Sequence, residues 1–445
     1  MNSKKYYLVS LGCAKNTVDS ESMDALLQEA GFLPVEKPSQ ASVLIVNTCG
    51  FIQTARQESI DTLQELADYK KPGQMLIAAG CLPERYREML VNKVNGIDGI
   101  MSTRRWMDIV EVVQQLRSDK PHPTTLYHLP ESATVGTDER NVMRAALQGA
   151  SAYLKIGDGC RRPCAYCSIP LIKGTAVSRP PQVIVEEARQ LQDMGIQELI
   201  LIAQDTTDYG HDLGMKDGLA ILLEQITQAA PQIPWLRILY AYPGYVTDRL
   251  INLMASRPQI LHYLDIPLQH AHPDTLRRMK RPADINWVHH TIEKMRTAMP
   301  DLALRTTFIV GYPGETETEF QALLDFIREI QFDRVGAFTF SFEPGTSSEA
   351  LGDPIPAELK EERLMQLMEA QHEISLKRNQ SFIGKILPVL IEGVDHGISI
   401  GRSYRDAPEI DGLVLIDSKC EPGQIVPVLI GGALPHDLTG SVLPA

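Results

Sequence analysis

Short apolar runs alternate with amphipathic helical stretches along most of this 445-residue chain. That alternation commits it to parallel sheets, because two parallel neighbours must be joined by a crossover of helical length. Three such runs open the sequence: YYLVSLG before Cys13, SVLIVNT before Cys49 and QMLIAAG before Cys81. Each has strand length and composition, and each delivers a cysteine at its end. Between the first two, SESMDALLQEAG places Met23, Leu26, Leu27 and Ala30 on one helical face, with Gly31 as a stop. In open parallel sheets the ligand crevice lies beyond the carboxyl ends of the strands, where three cysteines from separate strands are placed to converge. The bland alternative is three buried small apolar residues, the common fate of a free cysteine. Their shared position at one sheet edge argues for a common site.

A second alternation follows, with strand-like runs at 152–156, 198–203, 236–241, 262–266, 304–310 and 334–340. Six βα units predict a partial parallel barrel whose chemistry sits in the loops after its strands. Such a length exceeds one ordinary core. The expected fold is therefore multidomain α/β: a parallel-sheet domain over 1–120, a polar, turn-rich linker over 121–140, a partial (β/α)6 barrel over 141–377, and a small β-barrel over 378–445. Leu364, Leu367, Met368, Gln371 and Ile374 have the spacing of a helix packed on the central barrel.

Seven cysteines without an export signal point to metal or redox use in a reducing compartment rather than to disulfides. The start, MNSKKYYLVSLGC, runs straight into a strand, and no apolar run approaches membrane-spanning length, so a cytoplasmic location is expected. A net charge of -13 opposes nonspecific attraction to phosphate backbones and suits a basic partner.

The sharpest motif is GDGCRRPCAYCSIP, in which Cys160, Cys164 and Cys167 form CxxxCxxC directly after the first barrel strand. Such a loop can wrap three thiolates around a cubane cluster and leave one iron without a protein ligand. S-adenosylmethionine fits that iron, since its amino and carboxylate groups chelate. Structural zinc usually wants a fourth ligand in paired spacing, and none lies nearby. Tyr166, before the last cysteine, is a further cofactor-side candidate, with packing as its ordinary role. Gln204, Asp205, Tyr242, Gln269, His270 and Glu343 follow barrel strands and have position as their only warrant. GYPGE at 311–315 is a tight turn after the fifth strand, Arg305 lies inside a strand, and Cys420 stands alone.

The motif and its barrel context resemble the radical S-adenosylmethionine superfamily. With Cys13, Cys49 and Cys81 added, the chain resembles the methylthiotransferases over essentially its whole length, and the terminal domain is TRAM-like. LGCAKNTVDSE, IAQDTTDYG, YLDIPLQHAHPDTLRRMKRP and GRSYRDAPEIDG look like the branch acting on the twelfth protein of the small ribosomal subunit. That resemblance implies two [4Fe-4S] clusters, on Cys160, Cys164 and Cys167 and on Cys13, Cys49 and Cys81. It implies two uses of S-adenosylmethionine, an electron donor such as a flavodoxin or ferredoxin, and a methylthio group placed on the β-carbon of one aspartate. From Arg378 onward five basic residues face eight acidic ones, which suits a basic protein substrate better than a stable nucleic-acid partner. A transfer-RNA methylthiotransferase and a noncatalytic iron-sulfur carrier are the alternatives.

Overall fold

The computed structural model describes residues 4–118, 125–129 and 140–443. Its N-terminal sheet contains β1 (Lys5–Ser10), β2 (Leu33–Pro34), β3 (Val43–Thr48), β4 (Met75–Gly80), β5 (Gly99–Met101) and β6 (Leu126–His128). They run in the order β2-β1-β3-β4-β5-β6, every pair parallel. Helices α1 (Ala14–Glu29), α2 (Gln53–Asp68), α3 (Cys81–Lys93) and α4 (Ile109–Ser118) cover the two faces. Ile45, Ile77 and Met101 pack under Leu27 and Val113, while Leu44, Val46 and Leu76 pack under Leu63 and Leu90. Burial from both sides is why VLIVNT and MLIAAG read as unbroken apolar runs. Most of the expected linker lies outside the described residues; its described part includes β6, the outer strand of this sheet.

The central sheet has β7 (Ala145–Gln148), β8 (Ser151–Lys155), β11 (Glu198–Ile202), β12 (Trp235–Ile238), β13 (Ile260–Asp265), β14 (Ala303–Val310) and β15 (Arg334–Thr339). Six strands are parallel, and β7 caps the β8 edge antiparallel, leaving the barrel open. The short pair β9 (Gly157–Asp158) and β10 (Val177–Ser178) flanks the cysteine loop. Around the outside lie α5 (Ile169–Lys173), α6 (Pro181–Asp193), α7 (Gly218–Ala229), α8 (Asp248–Ser256), α9 (Pro273–Arg278), α10 (Ile285–Ala298), α11 (Glu317–Ile330) and α12 (Ala357–Gln380). The third barrel strand is shorter than its apolar run at 236–241: Tyr240 takes a positive φ of 62° and turns out of the sheet. On the expected packing helix Leu367, Gln371 and Ile374 are buried, and Leu364 and Met368 half-buried. Among the described residues, no helix is long and apolar enough to cross a membrane.

Strands β16 (Ile386–Asp395), β17 (Ile398–Ser403), β18 (Val414–Ile416), β19 (Ile425–Ala433) and β20 (Leu438–Val442) close into a small barrel. It docks where the central strands begin. Arg402 reaches Glu198, the first residue of β11, at 2.6 Å, and Arg405 reaches Asp333, just before β15, at 3.0 Å. Arg334 bonds Asp406 at 2.5 Å. Ala407 joins Tyr153, Ile200, Tyr263 and Ala303 in the core inside the barrel, so the loop of the GRSYRDAPEIDG segment plugs the lower mouth.

Glu198 is fully buried between Arg237 and Arg402, both within 2.6 Å. Burial alone would raise its pKa, but the two guanidinium groups outweigh that and hold it at about 2 against an ordinary 4.5. Its contribution to stability is present above the ordinary value and is lost as pH falls from there toward 2. Glu198→Gln strands two buried cations and is expected to cost about 3–5 kcal/mol of unfolding free energy at neutral pH. Chemical unfolding checks this, and a loss under about 1 kcal/mol would refute it.

Candidate active site at the two cysteine trios

Cys13, Cys49 and Cys81 follow β1, β3 and β4. Buried amides strap these ends together. Asn16 Nδ2 donates to the carbonyls of Leu11, Asn47 and Thr48 at 2.6, 3.2 and 3.3 Å, and Asn47 Nδ2 donates back to the Asn16 carbonyl at 3.0 Å. Thr48 Oγ1 donates to Ala79 at 2.6 Å, which draws the Cys49 turn to the Cys81 turn. Ser59 on α2 holds Cys49 from both sides, accepting its N–H at 2.9 Å and donating to its carbonyl at 3.0 Å. Two glycines make the approach possible. At Gly12, with φ +96°, a Cβ would meet Cys49 Cβ at 2.9 Å and Sγ at 3.1 Å; at Gly80, with φ +98°, it would collide with Asn47 and Thr48 at 2.4–2.5 Å.

All seven cysteines are free thiols, and those of this trio lie close enough to feel one another's charge. Cys13 opens to solvent yet is densely surrounded by protein. Desolvation pushes its pKa up, but the Lys15 ammonium, the N–H groups of Asn16 and Lys15, and Lys173 together bring it down. Burial first, then the thiolates of Cys49 and Cys13, push Cys81 up to about 12 despite Lys173.

The second trio sits on the loop between β9 and α5. Backbone N–H groups of Arg162 and Ile169 donate to Cys160 and Cys167 sulfurs, each at 3.5 Å, and Ala165 N–H anchors the loop to Met279 at 2.9 Å. Arg281 Nη1 lies 3.5 Å from Cys164 Sγ, and Tyr242 Oη lies 3.9 Å from it. The Tyr242 ring stands between Arg162 and Arg281, 4.6 and 4.1 Å from its centroid. Burial, with the neighbouring thiolates, pushes Cys160 up to about 11 and Cys167 up to about 12.

One element joins the two trios. From Cys167 the chain enters α5, and Lys173 at its end acts electrostatically on Cys81 and Cys13. The five residues of α5 advance only about 7 Å. Arg104 of the N-terminal domain grips α5 from outside, donating to the Ile172 and Leu171 carbonyls at 2.8 and 2.9 Å. Six soft thiols in two groups of three, with cations beside each, match what iron-sulfur clusters with an open iron require of a protein.

The uncharacterized protein family UPF0004 matches residues 5–102, the radical SAM superfamily residues 154–327 and the TRAM domain residues 383–443. The chain is 46% identical over 461 residues to the ribosomal protein uS12 methylthiotransferase RimO of Roseiflexus sp. (strain RS-1), covering 99% of this chain and 98% of that one. Against the protein of the same description from Chloroflexus aurantiacus the identity is 47%, with 99% and 100% covered. The chain belongs to the uS12 methylthiotransferase family. Two solved radical S-adenosylmethionine enzymes share its fold. TsrM from Kitasatospora setae aligns with a TM-score of 0.57 at 13% identity, over 89% of this chain and 77% of that one. OxsB aligns with a TM-score of 0.53 at 12% identity, over 82% and 56%.

Within this uS12 methylthiotransferase family member the weaker candidates divide. Tyr242 lies at the CxxxCxxC loop. Tyr166 packs against Met279, Tyr312 and Phe340 beside Cys164 and Cys167. Asp205 holds Arg162 at 2.6 Å and Gln204 lies 3.5 Å from Asp158, both one step behind the cysteines. The others serve the fold. Glu343 is buried and accepts from Arg85 at 2.7 Å and Arg56 at 3.1 Å, clamping the N-terminal domain to the barrel. His270 is buried, accepts the His272 N–H at 2.9 Å, and is driven by burial down to about 3, so it stays neutral at physiological pH. Glu315 of the GYPGE turn caps its own backbone and pairs with Arg363 at 3.1 Å; burial pushes it up to about 7. Gln269 makes a bridge to Phe308 with a positive φ of 75°, and Arg305 ties Asp265 to Asp411 of the terminal domain. Cys420 packs against the terminal-barrel core. Lys15, Lys173 and Arg281 were not singled out from the sequence, because a lone cation carries no periodic signal. Two clues were present: Lys15 stands two residues after Cys13, and Arg281 lies in the MKRP segment.

Proposed function

We propose that the chain is a radical S-adenosylmethionine methylthiotransferase that attaches a methylthio group to the β-carbon of one aspartate of ribosomal protein uS12. The observation carrying this reading is the pair of cysteine trios, one at three strand ends and one on a single barrel loop, linked through α5, whose Lys173 acts on Cys13 and Cys81. Cys160, Cys164 and Cys167 would hold one [4Fe-4S] cluster and the methionine end of S-adenosylmethionine; Cys13, Cys49 and Cys81 would hold a second cluster. When bound and reduced, the first would supply an electron for reductive cleavage of S-adenosylmethionine, and the second would offer an open iron for sulfur.

The chain's own residues set the conditions for that chemistry. An aspartate β-hydrogen is beyond the reach of ordinary general bases, so acid-base pairs do not suffice for this reaction. Arg281 and the N–H groups of Arg162 and Ile169 place positive charge and donors on the sulfurs, favouring the more negative, reduced state. The buried cations Arg144, Lys155 and Lys173 gather around Asp19 and Asp158 beside Cys13, Cys49 and Cys81, and the Lys173 charge acts on Cys13 and Cys81. A small acidic electron carrier such as a flavodoxin or ferredoxin and a cytoplasmic setting complete the proposal.

The test is to incubate the iron-loaded, reduced protein with S-adenosylmethionine and purified uS12, then to map uS12 by mass spectrometry. A methylthio-sized increase on one aspartate, with 5′-deoxyadenosine released, is the expected result. The same increase on transfer RNA and none on uS12 would overturn the substrate, and no 5′-deoxyadenosine would overturn the radical chemistry.

A further inference from the structure

Most cations around the crevice are already spent on carboxylates. Lys155 and Lys173 pair with Asp19 and Asp158, Arg162 with Asp205 and Asp208, and Arg305 with Asp265 and Asp411. Arg281 has no carboxylate among the described residues, but it is buried and its two terminal nitrogens are used by Cys164 and the Pro267 carbonyl. Lys15 differs. It is half-buried, its ammonium rests 3.4 Å from the centroid of the Tyr240 ring, and its charge acts on Cys13. Among the described residues no carboxylate lies within ion-pair distance of it. Asp265, the acid in its neighbourhood, is turned to Arg305 at 2.9 Å and to the Tyr240 N–H at 3.3 Å.

The backbone explains why the ammonium is held there. Tyr240 leaves β12 with positive φ, which presents its ring to the first turn of α1, and the Asn16 amide fixes that turn against β1 and β3. An aromatic face holds a cation without neutralising it, and although the Tyr240 side chain takes a hydrogen bond from Lys15, an ammonium has three N–H donors, so others stay available to an incoming anion.

We infer that Lys15 is the residue that recognises the substrate side chain, binding the carboxylate of the target aspartate and so setting its β-carbon beside the Cys13, Cys49 and Cys81 trio. This rests on the substrate proposed above. The carboxylate is attached directly to the carbon that must receive sulfur, so one charge-assisted hydrogen bond from a fixed ammonium selects aspartate and orients the reacting carbon together. Asparagine, of the same shape, forfeits the charge.

The experiment uses iron-loaded wild type, Lys15→Met and Lys15→Arg with full-length uS12 and with uS12 whose mapped target aspartate is changed to asparagine. Equilibrium binding of each pair is measured by fluorescence anisotropy, alongside iron content. Wild type is expected to prefer the aspartate form by about tenfold, the scale of one charge-assisted bond. Lys15→Met should bind both forms alike, Lys15→Arg should keep most of the preference, and all three should carry the same iron. If Lys15→Met keeps the wild-type preference, or loses iron instead, the inference is overturned. Wild type that modifies no aspartate of uS12 would overturn the functional reading itself, a distinct result from an unchanged preference.

Discussion

Replacing Cys160, Cys164 and Cys167 together with alanine is expected to leave about half the iron and no detectable 5′-deoxyadenosine, a loss of all turnover. The matching replacement of Cys13, Cys49 and Cys81 should also remove about half the iron, yet keep S-adenosylmethionine cleavage while no methylthio product forms. The two outcomes differ because the trios sit on different scaffolds. The first belongs to one loop pinned by Gly174 and Met279 inside the barrel. The second is assembled from three strand ends strapped by Asn16 and Asn47. Each set of thiols can therefore be removed without unmaking the other, and alanine is smaller than cysteine at half-buried or exposed positions. Iron analysis together with chromatography of the nucleoside reads both arms. Unchanged iron in either variant would contradict the assignment, and loss of cleavage in the second would mean that the trios do not divide the chemistry.

Both trios were legible in the sequence for a physical reason. Parallel strands buried on two faces leave unbroken apolar runs, so their ends are visible, and a cysteine at such an end stands out. The open barrel and the closed terminal barrel followed from the same spacing of runs. What surrounds the thiols was not legible. Helix α1 reads as an ordinary amphipathic helix with Met23, Leu26 and Leu27 inward, but the first turns of that same stripe carry Asn16, Asp19 and Ser22, which are buried too: Asn16 bonds the strand ends, and Asp19 and Ser22 reach the central barrel and the segment leading into it. Polar residues buried at a domain interface look like a solvated face in any periodicity argument. Glu343 was visible by position only, and its work as an interdomain clamp depends on Arg56 and Arg85, more than 250 residues away in sequence.

The terminal domain shows the same limit. Its excess of acidic residues was visible from composition, but Arg378, Arg402, Arg405, Asp406 and Asp411 are spent on the barrel. What remains is Lys385 and Lys419 against six acidic residues, so the rest of the domain is more acidic in proportion than the whole. It docks at the starts of the central strands, whereas the Cys160, Cys164 and Cys167 loop follows the end of the first of them. A central strand of five residues is about 17 Å long, so a basic protein held there would reach the thiols only with a separate segment.

Asp19 carries an expected effect on stability as large as that of Glu198. It is fully buried on α1, yet its partners belong to the barrel: Lys155 at 2.7 Å, Lys173 at 2.8 Å, and Arg144, which also stacks on Trp106. Desolvation alone would raise its pKa, but these three cations override it and hold the carboxyl well below the usual range. Asp19→Ala removes the carboxylate that these three buried cations share and is expected to cost about 3–5 kcal/mol. Because the charges lie across the junction of two domains, the loss should appear first as undocking, read as faster amide hydrogen exchange in α1 than in the barrel strands. The pH dependence has a definite sign. A depressed carboxyl stabilises the fold above the unfolded value near 4 and loses that contribution as pH falls through the folded one, so wild type should weaken below about pH 4. Asp19→Asn should already lack that increment at neutral pH and show a flatter acid limb. Matched unfolding curves at pH 7 and pH 3 decide it: an Asp19→Asn protein as stable as wild type at pH 7 would show that the five charges do not hold the domains together.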